Sequence, residues 1–131
     1  MSRLWKASDK DVYRCLIDES NPWQLSSGAH HAVDLVLLFG GFDLGFSPGA
    51  LETGKSMRQA WIRFINQEPP GAADSDSCLA FGPYGACRAI GDLEVRSRRR
   101  VAQVEQLDTM DGAILDKVLS ALAGGKISLL N

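Results

Sequence analysis

The sequence predicts a mixed α/β fold that is mostly helical, with one or two short strands in an incomplete sheet. Three stretches carry this prediction. Residues 12–17, VYRCLI, are rich in β-formers. Residues 51–66 repeat apolar side chains at helical spacing, and residues 111–123 are amphipathic and stop at two glycines. With 131 residues the chain has room for a single core, so we expect 1–131 to form one domain or a fragment of one.

The first predicted strand, 12–17, ends at the turn cluster DESNP. Apolar side chains lie on both of its faces, with Tyr13, Cys15 and Ile17 on one and Val12 and Leu16 on the other. This pattern is typical of a parallel strand that is covered on both sides. Such a strand needs neighbours, and the chain offers few, so the predicted sheet is incomplete.

The middle of the chain contains one clear helix. Residues 33–39 are too apolar for periodicity to separate helix from strand, and 40–49 form a glycine-punctuated loop. In 51–66 one helical face is apolar, and it consists of Met57, Ala60, Trp61, Phe64 and Ile65. We expect Trp61 to pack in the core. The segment PPG at 69–71 ends this helix, because proline cannot continue the hydrogen-bond ladder.

The second half continues with a polar stretch at 72–77, a short predicted strand at 78–81 and a GPYG turn. A helix is predicted over 93–107, and it carries Arg96, Arg98, Arg99 and Arg100. Without interleaved aromatic residues or a basic total charge, this run indicates a solvated helix face rather than a nucleic-acid site. Another helix spans 111–123, and the apolar segment 125–131 is expected to pack down.

Composition excludes several classes of function. The apolar fraction of 45%, the charged fraction of 23% and the net charge of −2 are ordinary for a globular protein. This charge balance creates no positive electrostatic potential that would attract nucleic acid or an anionic membrane. The spacing of the three cysteines, Cys15, Cys78 and Cys87, is not that of a metal site. They are therefore either three free thiols or one disulfide pair and one free thiol. The chain as written shows no signal peptide or membrane span. We expect no cofactor, no metal, no nucleic-acid or membrane partner, and a cytoplasmic location for the chain as written.

Both histidines lie in the stretch 26–40, SSGAHHAVDLVLLFG. His30 and His31 are adjacent in a loop of small residues, after the first predicted strand and before an apolar run. An imidazole exchanges protons near neutral pH, and loops on rigid strands often carry catalytic groups. A surface or packing role for both histidines is the alternative that this local pattern leaves open.

The segment GAHHAVD, followed by LFG, resembles the histidine loop of the type B carboxylesterase and cholinesterase-like family of α/β-hydrolases. Laid on that family's pattern, the catalytic position falls on His31 and the acid on Asp34, while His30 takes a variable position. The segment MRQAWIRF also resembles the helix that follows the histidine in the family. The resemblance runs from about Tyr13 to Asn131, and it implies the C-terminal segment of an α/β-hydrolase fold.

A second short motif, GFSPG at 45–49, matches the G-x-S-x-G nucleophile elbow. In the elbow, the N–H of the residue after the serine donates to the oxyanion. That residue is Pro48, which has no N–H. The family also orders its triad as serine, acid and histidine, whereas Ser47 follows His31. Ser47 is therefore a loop serine and not the nucleophile.

The same order places the serine and the acid before His31, yet only thirty residues precede it and they contain no elbow. The resemblance thus implies a truncated product, a fragment or a degenerate relative that lacks the serine, the acid and the oxyanion segment. His31 would be the general base of carboxylic ester hydrolysis, and a small-molecule ester would bind only in a complete enzyme. We expect the chain alone to be inactive or nearly so. The alternative is a non-catalytic interaction or structural protein that self-associates through exposed sheet surface.

A third motif suggests nucleotide binding as a further, less favoured function. Residues 49–56, GALETGKS, satisfy the P-loop pattern, in which Lys55 would reach nucleotide phosphates and Ser56 would bind Mg²⁺. A P-loop must follow a buried strand, but glycine and proline interrupt the residues before this one. A nucleotide-binding sheet also needs more strands than remain. Nucleotide binding is therefore the weaker hypothesis.

Overall fold

The computed structural model describes residues 11–71 and 77–123, and within them the chain forms two compact units that divide after Asp92. The first unit holds a three-stranded sheet and two α-helices, and three further helices follow from Asp92 onward. The predicted α/β class and the small, incomplete sheet are therefore confirmed for the described residues. The predictions for 72–76 and 125–131 fall outside them.

The sheet of the first unit contains both predicted strands and one that the sequence did not reveal. Strands β1 (Arg14–Ile17), β2 (Cys78–Phe81) and β3 (Cys87–Ile90) lie in that order. β1 is parallel to β2, with Arg14 opposite Cys78, and β2 is antiparallel to β3. β2 is buried along its whole length, whereas three of the four residues of β3 are exposed. Among the described residues, β1 is an edge strand.

Two helices connect β1 to β2. The ambiguous stretch 33–39 is helix α1 (Val33–Phe39), which ends at Gly40 with φ +61°. The second helix, α2 (Pro48–Ile65), begins three residues earlier than the periodicity predicts. Pro48 accounts for the earlier start, because proline has a helical φ and its missing N–H costs nothing in the first turn.

The core of the first unit lies where both helices meet β2. Its buried cluster includes Leu37 of α1, Met57 and Ala60 of α2, and Leu79 and Phe81 of β2. Tight contact between the helices comes from Gly54: a Cβ there would lie 2.7 Å from the carbonyl oxygen of Leu37. The glycine therefore lets the backbone of α1 reach α2 directly.

The apolar face of α2 is buried only in part. Met57 and Ala60 are buried, but Trp61 is 49% exposed and Ile65 is 71% exposed. The prediction that Trp61 packs in the core is therefore wrong. An 18-residue helix is about 27 Å long, whereas a four-residue strand spans about 13 Å. The helix is longer than the strand, and its last turns face a cavity beside β1 and β2 that is partly open to solvent.

A buried carboxylate joins three segments at the end of β1. Glu19 is 6% exposed, and its Oε2 accepts hydrogen bonds from Thr53 Oγ1 at 2.8 Å and from the N–H of Gly85 at 2.9 Å. Thr53 belongs to α2, and Gly85 lies in the turn between β2 and β3. In the same turn Gly82 has φ +90°, and a Cβ there would collide with the backbone nitrogen of Glu19. We call these four residues the Glu19 junction.

The second unit contains α3 (Asp92–Arg98), α4 (Val101–Leu107) and α5 (Gly112–Ala123). The single helix predicted over 93–107 is interrupted, because Arg100 has a left-handed φ of 49°. Arg98 pairs with Glu94 at 2.6 Å and Arg96 with Glu105 at 2.8 Å. Acidic partners thus neutralise part of the arginine run, as on a solvated helix face.

Candidate functional site

The histidine loop connects the end of β1 to the start of α1. Backbone hydrogen bonds close it on itself: the N–H of Asn21 donates to the carbonyl of Gly28 at 2.9 Å, and the N–H of Gly28 donates to Leu25 at 3.1 Å. A short 3₁₀ helix, Leu25–Ser27, lies between these bonds. The loop therefore holds its histidines on a defined backbone.

His30 is fixed by its neighbours through both ring nitrogens. Asn21 Oδ1 accepts from the N–H of Trp23 at 2.9 Å, so its Nδ2 is directed toward His30 Nε2, 2.7 Å away. His30 Nδ1 lies 2.7 Å from the carbonyl oxygen of His31 and must donate to it. These directions assign a neutral ring with the proton on Nδ1 and the Nε2 lone pair accepting from Asn21.

His31, the predicted catalytic residue, has its imidazole exposed in the turn that leads into α1. Within the described residues, that ring makes no hydrogen bond or ion pair, while the backbone carbonyl of His31 is bound by His30. Both ring nitrogens of His31 are thus available to an incoming group. The sequence analysis proposed His31 and treated His30 as a variable position, and the bonds of His30 to Asn21 and to the carbonyl of His31 were not predicted.

Asp34, at the acid position of the resemblance, lies in the first turn of α1. It forms no ion pair with His31 among the described contacts. The Asp34 carboxylate instead influences Cys15 on β1. The pKa of the Cys15 thiol is raised, mainly by burial and in addition by the negative charge of Asp34. Cys15 therefore stays protonated at neutral pH and is a poor nucleophile.

Aromatic side chains that the sequence analysis did not single out lie on the same loop and the next one. Trp23 packs edge-on against Phe42, with ring centroids 5.4 Å apart, and lies 6.0 Å from Phe46. All three side chains are more than half exposed. The bond from Trp23 to Asn21 connects this aromatic surface to the segment that fixes His30. Two phenylalanines in a glycine-rich loop were the sequence signal for it.

The P-loop motif at 49–56 lies entirely within α2. Its backbone N–H groups beyond the first turn are bound within the helix and cannot form a phosphate-binding loop. Lys55 is exposed and pairs with Glu52 at 3.3 Å, and Gly54 serves the contact with Leu37. Ser47 precedes Pro48 at the start of the same helix. The structure therefore gives the nucleotide hypothesis no binding loop.

Across residues 11–71 and 77–123, no three histidine, cysteine or acidic side chains lie close enough to hold a metal ion. Cys15, Cys78 and Cys87 are free thiols. None of the helices in this part of the chain has the length and apolar character needed to cross a membrane. No family model, no curated protein and no solved structure matches the chain.

Proposed function

We propose that this chain is the C-terminal, histidine-bearing segment of a type B carboxylesterase-like serine hydrolase, with His31 as general base. In the complete enzyme His31 would take the proton of the serine, pass it to the leaving alcohol and then activate water for deacylation. The observation that carries the proposal is the exposed His31 ring, unengaged among the described residues, on a loop closed by hydrogen bonds.

Three features of the loop support this role. It follows the end of β1, which is parallel to β2, and ligands of α/β sheets bind beyond the carboxyl ends of such strands. His30 holds the carbonyl of His31 and leaves the catalytic ring free, so it would be a positioning residue. The aromatic surface of Trp23, Phe42 and Phe46 would favour an ester with an apolar acyl or aryl group.

The isolated chain should not perform the complete reaction. The described residues place no carboxylate or serine hydroxyl in hydrogen-bond contact with His31. Without a positioned nucleophile and oxyanion donors, an imidazole lacks most of the stabilisation that acyl transfer requires. A non-catalytic role for this segment remains the second hypothesis, and the experiments below separate the two.

We expect diethyl pyrocarbonate to modify His31 readily and His30 about tenfold more slowly. The reason is that a ring nitrogen of His30 must first lose its bond to Asn21, whereas both nitrogens of His31 are accessible. Time-resolved peptide mass spectrometry at mildly alkaline pH measures both rates. Asn21→Ala is the matched variant, and it should accelerate His30 alone. Equal rates in the native chain would contradict the geometry that carries the proposal.

Hydrolysis of an aryl acetate by the isolated chain should be non-saturating and no faster than catalysis by free imidazole. An in-frame extension from the coding sequence upstream of Met1 should supply a strand–G-x-S-x-G–helix unit and an acid. The extended chain should then turn over the ester with saturation, and His31→Ala should reduce kcat by about 10³-fold or more, with His30→Ala less damaging. An extension without the serine elbow, or saturable turnover by the isolated chain, would overturn the proposal.

A further inference from the structure

The first unit contains an apolar cavity that the proposed esterase role does not use. It lies between β1, β2 and the last turns of α2, has a volume of about 220 Å³ and is open on one side. Six of its lining residues carry the argument: Tyr13, Cys15, Ala60, Trp61, Phe64 and Leu79. Arg14 is the charged residue of the lining, and it has an interaction partner of its own. Almost all of the wall is apolar.

Three aromatic rings form one side of this cavity in a definite arrangement. Phe64 lies edge-to-face with Tyr13, at a centroid distance of 6.2 Å and an angle of 82°. It also lies edge-to-face with Trp61, at 6.2 Å and 85°. Aromatic pairs in this orientation bind further rings through the same complementarity of ring edge and ring face. The array is therefore open to an additional ring, since Trp61 and Phe64 are each about half exposed.

The size of the cavity limits what can enter. A dry protein cavity of roughly 150 Å³ holds a molecule the size of benzene, so 220 Å³ accommodates one ring or two small fused rings. Poorly ordered water against an apolar wall is displaced favourably by an apolar group. A charged ligand would lose its hydration against this largely apolar wall, whereas a neutral ring with a hydrogen-bond acceptor could use the buried Nε of Arg14, which donates no hydrogen bond among the described residues.

We propose that this cavity binds a small neutral aromatic molecule of one or two fused rings, held against Trp61 and Phe64. This inference is independent of the ester chemistry of His31, because none of the lining residues belongs to the histidine loop. The ligand would lie over the outer part of β1 and contact Cys15. Its binding would therefore shield that thiol from solvent.

Two exposed cysteines give the proposal an internal control. Cys15 lines the cavity, whereas Cys87, on β3, does not. Desolvation raises the pKa of both thiols, with Asp34 adding to the effect at Cys15 and a hydrogen bond from Ser56 opposing it at Cys87. Both thiols therefore become more reactive as the pH rises into the alkaline range, so one reagent can report on both.

The experiment is labelling of the native chain with N-ethylmaleimide at mildly alkaline pH in increasing concentrations of indole. Peptide mass spectrometry follows Cys15 and Cys87 separately. We expect saturating indole to slow the labelling of Cys15 about fivefold or more, with a half-maximal effect on the order of 1 mM, and to leave Cys87 unchanged. Equal slowing of both thiols, or none at Cys15, would overturn the proposal.

Two variants locate the effect. Trp61→Ala removes one aromatic wall and should raise the half-maximal indole concentration about tenfold. Ile62→Ala is the matched control, because Ile62 is adjacent in the same helix, 59% exposed and outside the lining, and it should protect as the native chain does. Protection that survives Trp61→Ala contradicts the site. Shielding of Cys15 that rises with protein concentration in the absence of indole would assign the cavity to a second copy of the chain and also overturn the proposal.

Discussion

Replacing Gly82 with alanine is expected to prevent the first unit from folding stably. The new Cβ would collide with the backbone nitrogen of Glu19 and lie within 2.8 Å of the carbonyl carbon of Asp18. Backbone atoms cannot move aside as a flexible side chain can, and the residue would also hold a positive φ of 90°. We expect a loss of at least about 4 kcal/mol in the free energy of unfolding, a large part of the stability of a small domain.

The matched control for this substitution is Gly41→Ala. A Cβ at Gly41 has no heavy atom within 4 Å, so its unfolding free energy should change by less than about 0.5 kcal/mol. Urea titration followed by tryptophan fluorescence measures both variants. A Gly82→Ala protein as stable as Gly41→Ala would show that the turn between β2 and β3 does not press against the loop after β1.

Replacing Glu19 with alanine has the second-largest expected effect. Thr53 Oγ1 and the N–H of Gly85 would both lose their acceptor, and Thr53 is completely buried. A buried donor left without a partner costs about 1–3 kcal/mol, so we expect a loss of about 3 kcal/mol. Glu19→Gln keeps an acceptor oxygen without the charge and should cost only about 1 kcal/mol.

Urea unfolding of the two Glu19 variants separates the effect of the charge from the combined effect of the acceptor atoms and the side-chain volume. Alanine removes both acceptor and volume, whereas glutamine preserves volume and one acceptor. Equal losses in the two variants would mean that the charge itself, rather than the two bonds, stabilises the junction. Thr53→Val tests the same point from the other side, since it removes one donor and keeps a similar shape.

The elements that sequence reasoning predicted correctly are those whose residues determine them locally. The apolar spacing of Met57, Ala60 and Phe64 identified α2, and the short apolar run at 78–81 identified β2. Strand β3 was missed because most of its side chains are exposed and its pairing with β2 is a tertiary event. The break at Arg100 was missed because a left-handed arginine leaves no mark in the hydrophobic pattern.

The candidate site was predictable only in part. The position of His31 in a small-residue loop was visible in the sequence, because it depends on neighbouring residues. The bonds that fix His30 depend on Asn21 and Trp23 folding back across the loop, which no period or motif encodes. Glu19 was assigned to a polar turn, since its partners Thr53 and Gly85 are distant in sequence. The esterase role itself remains a prediction.

The parallel pairing of β1 with β2 also determines when this chain can fold during its synthesis. Arg14 pairs with Cys78, so β1 leaves the ribosome long before its partner exists. Helices form within their own segments, whereas a contact between distant residues must wait for the intervening chain. Throughout the translation of α1 and α2, the open β1 strand is exposed to any chaperone or neighbouring nascent chain.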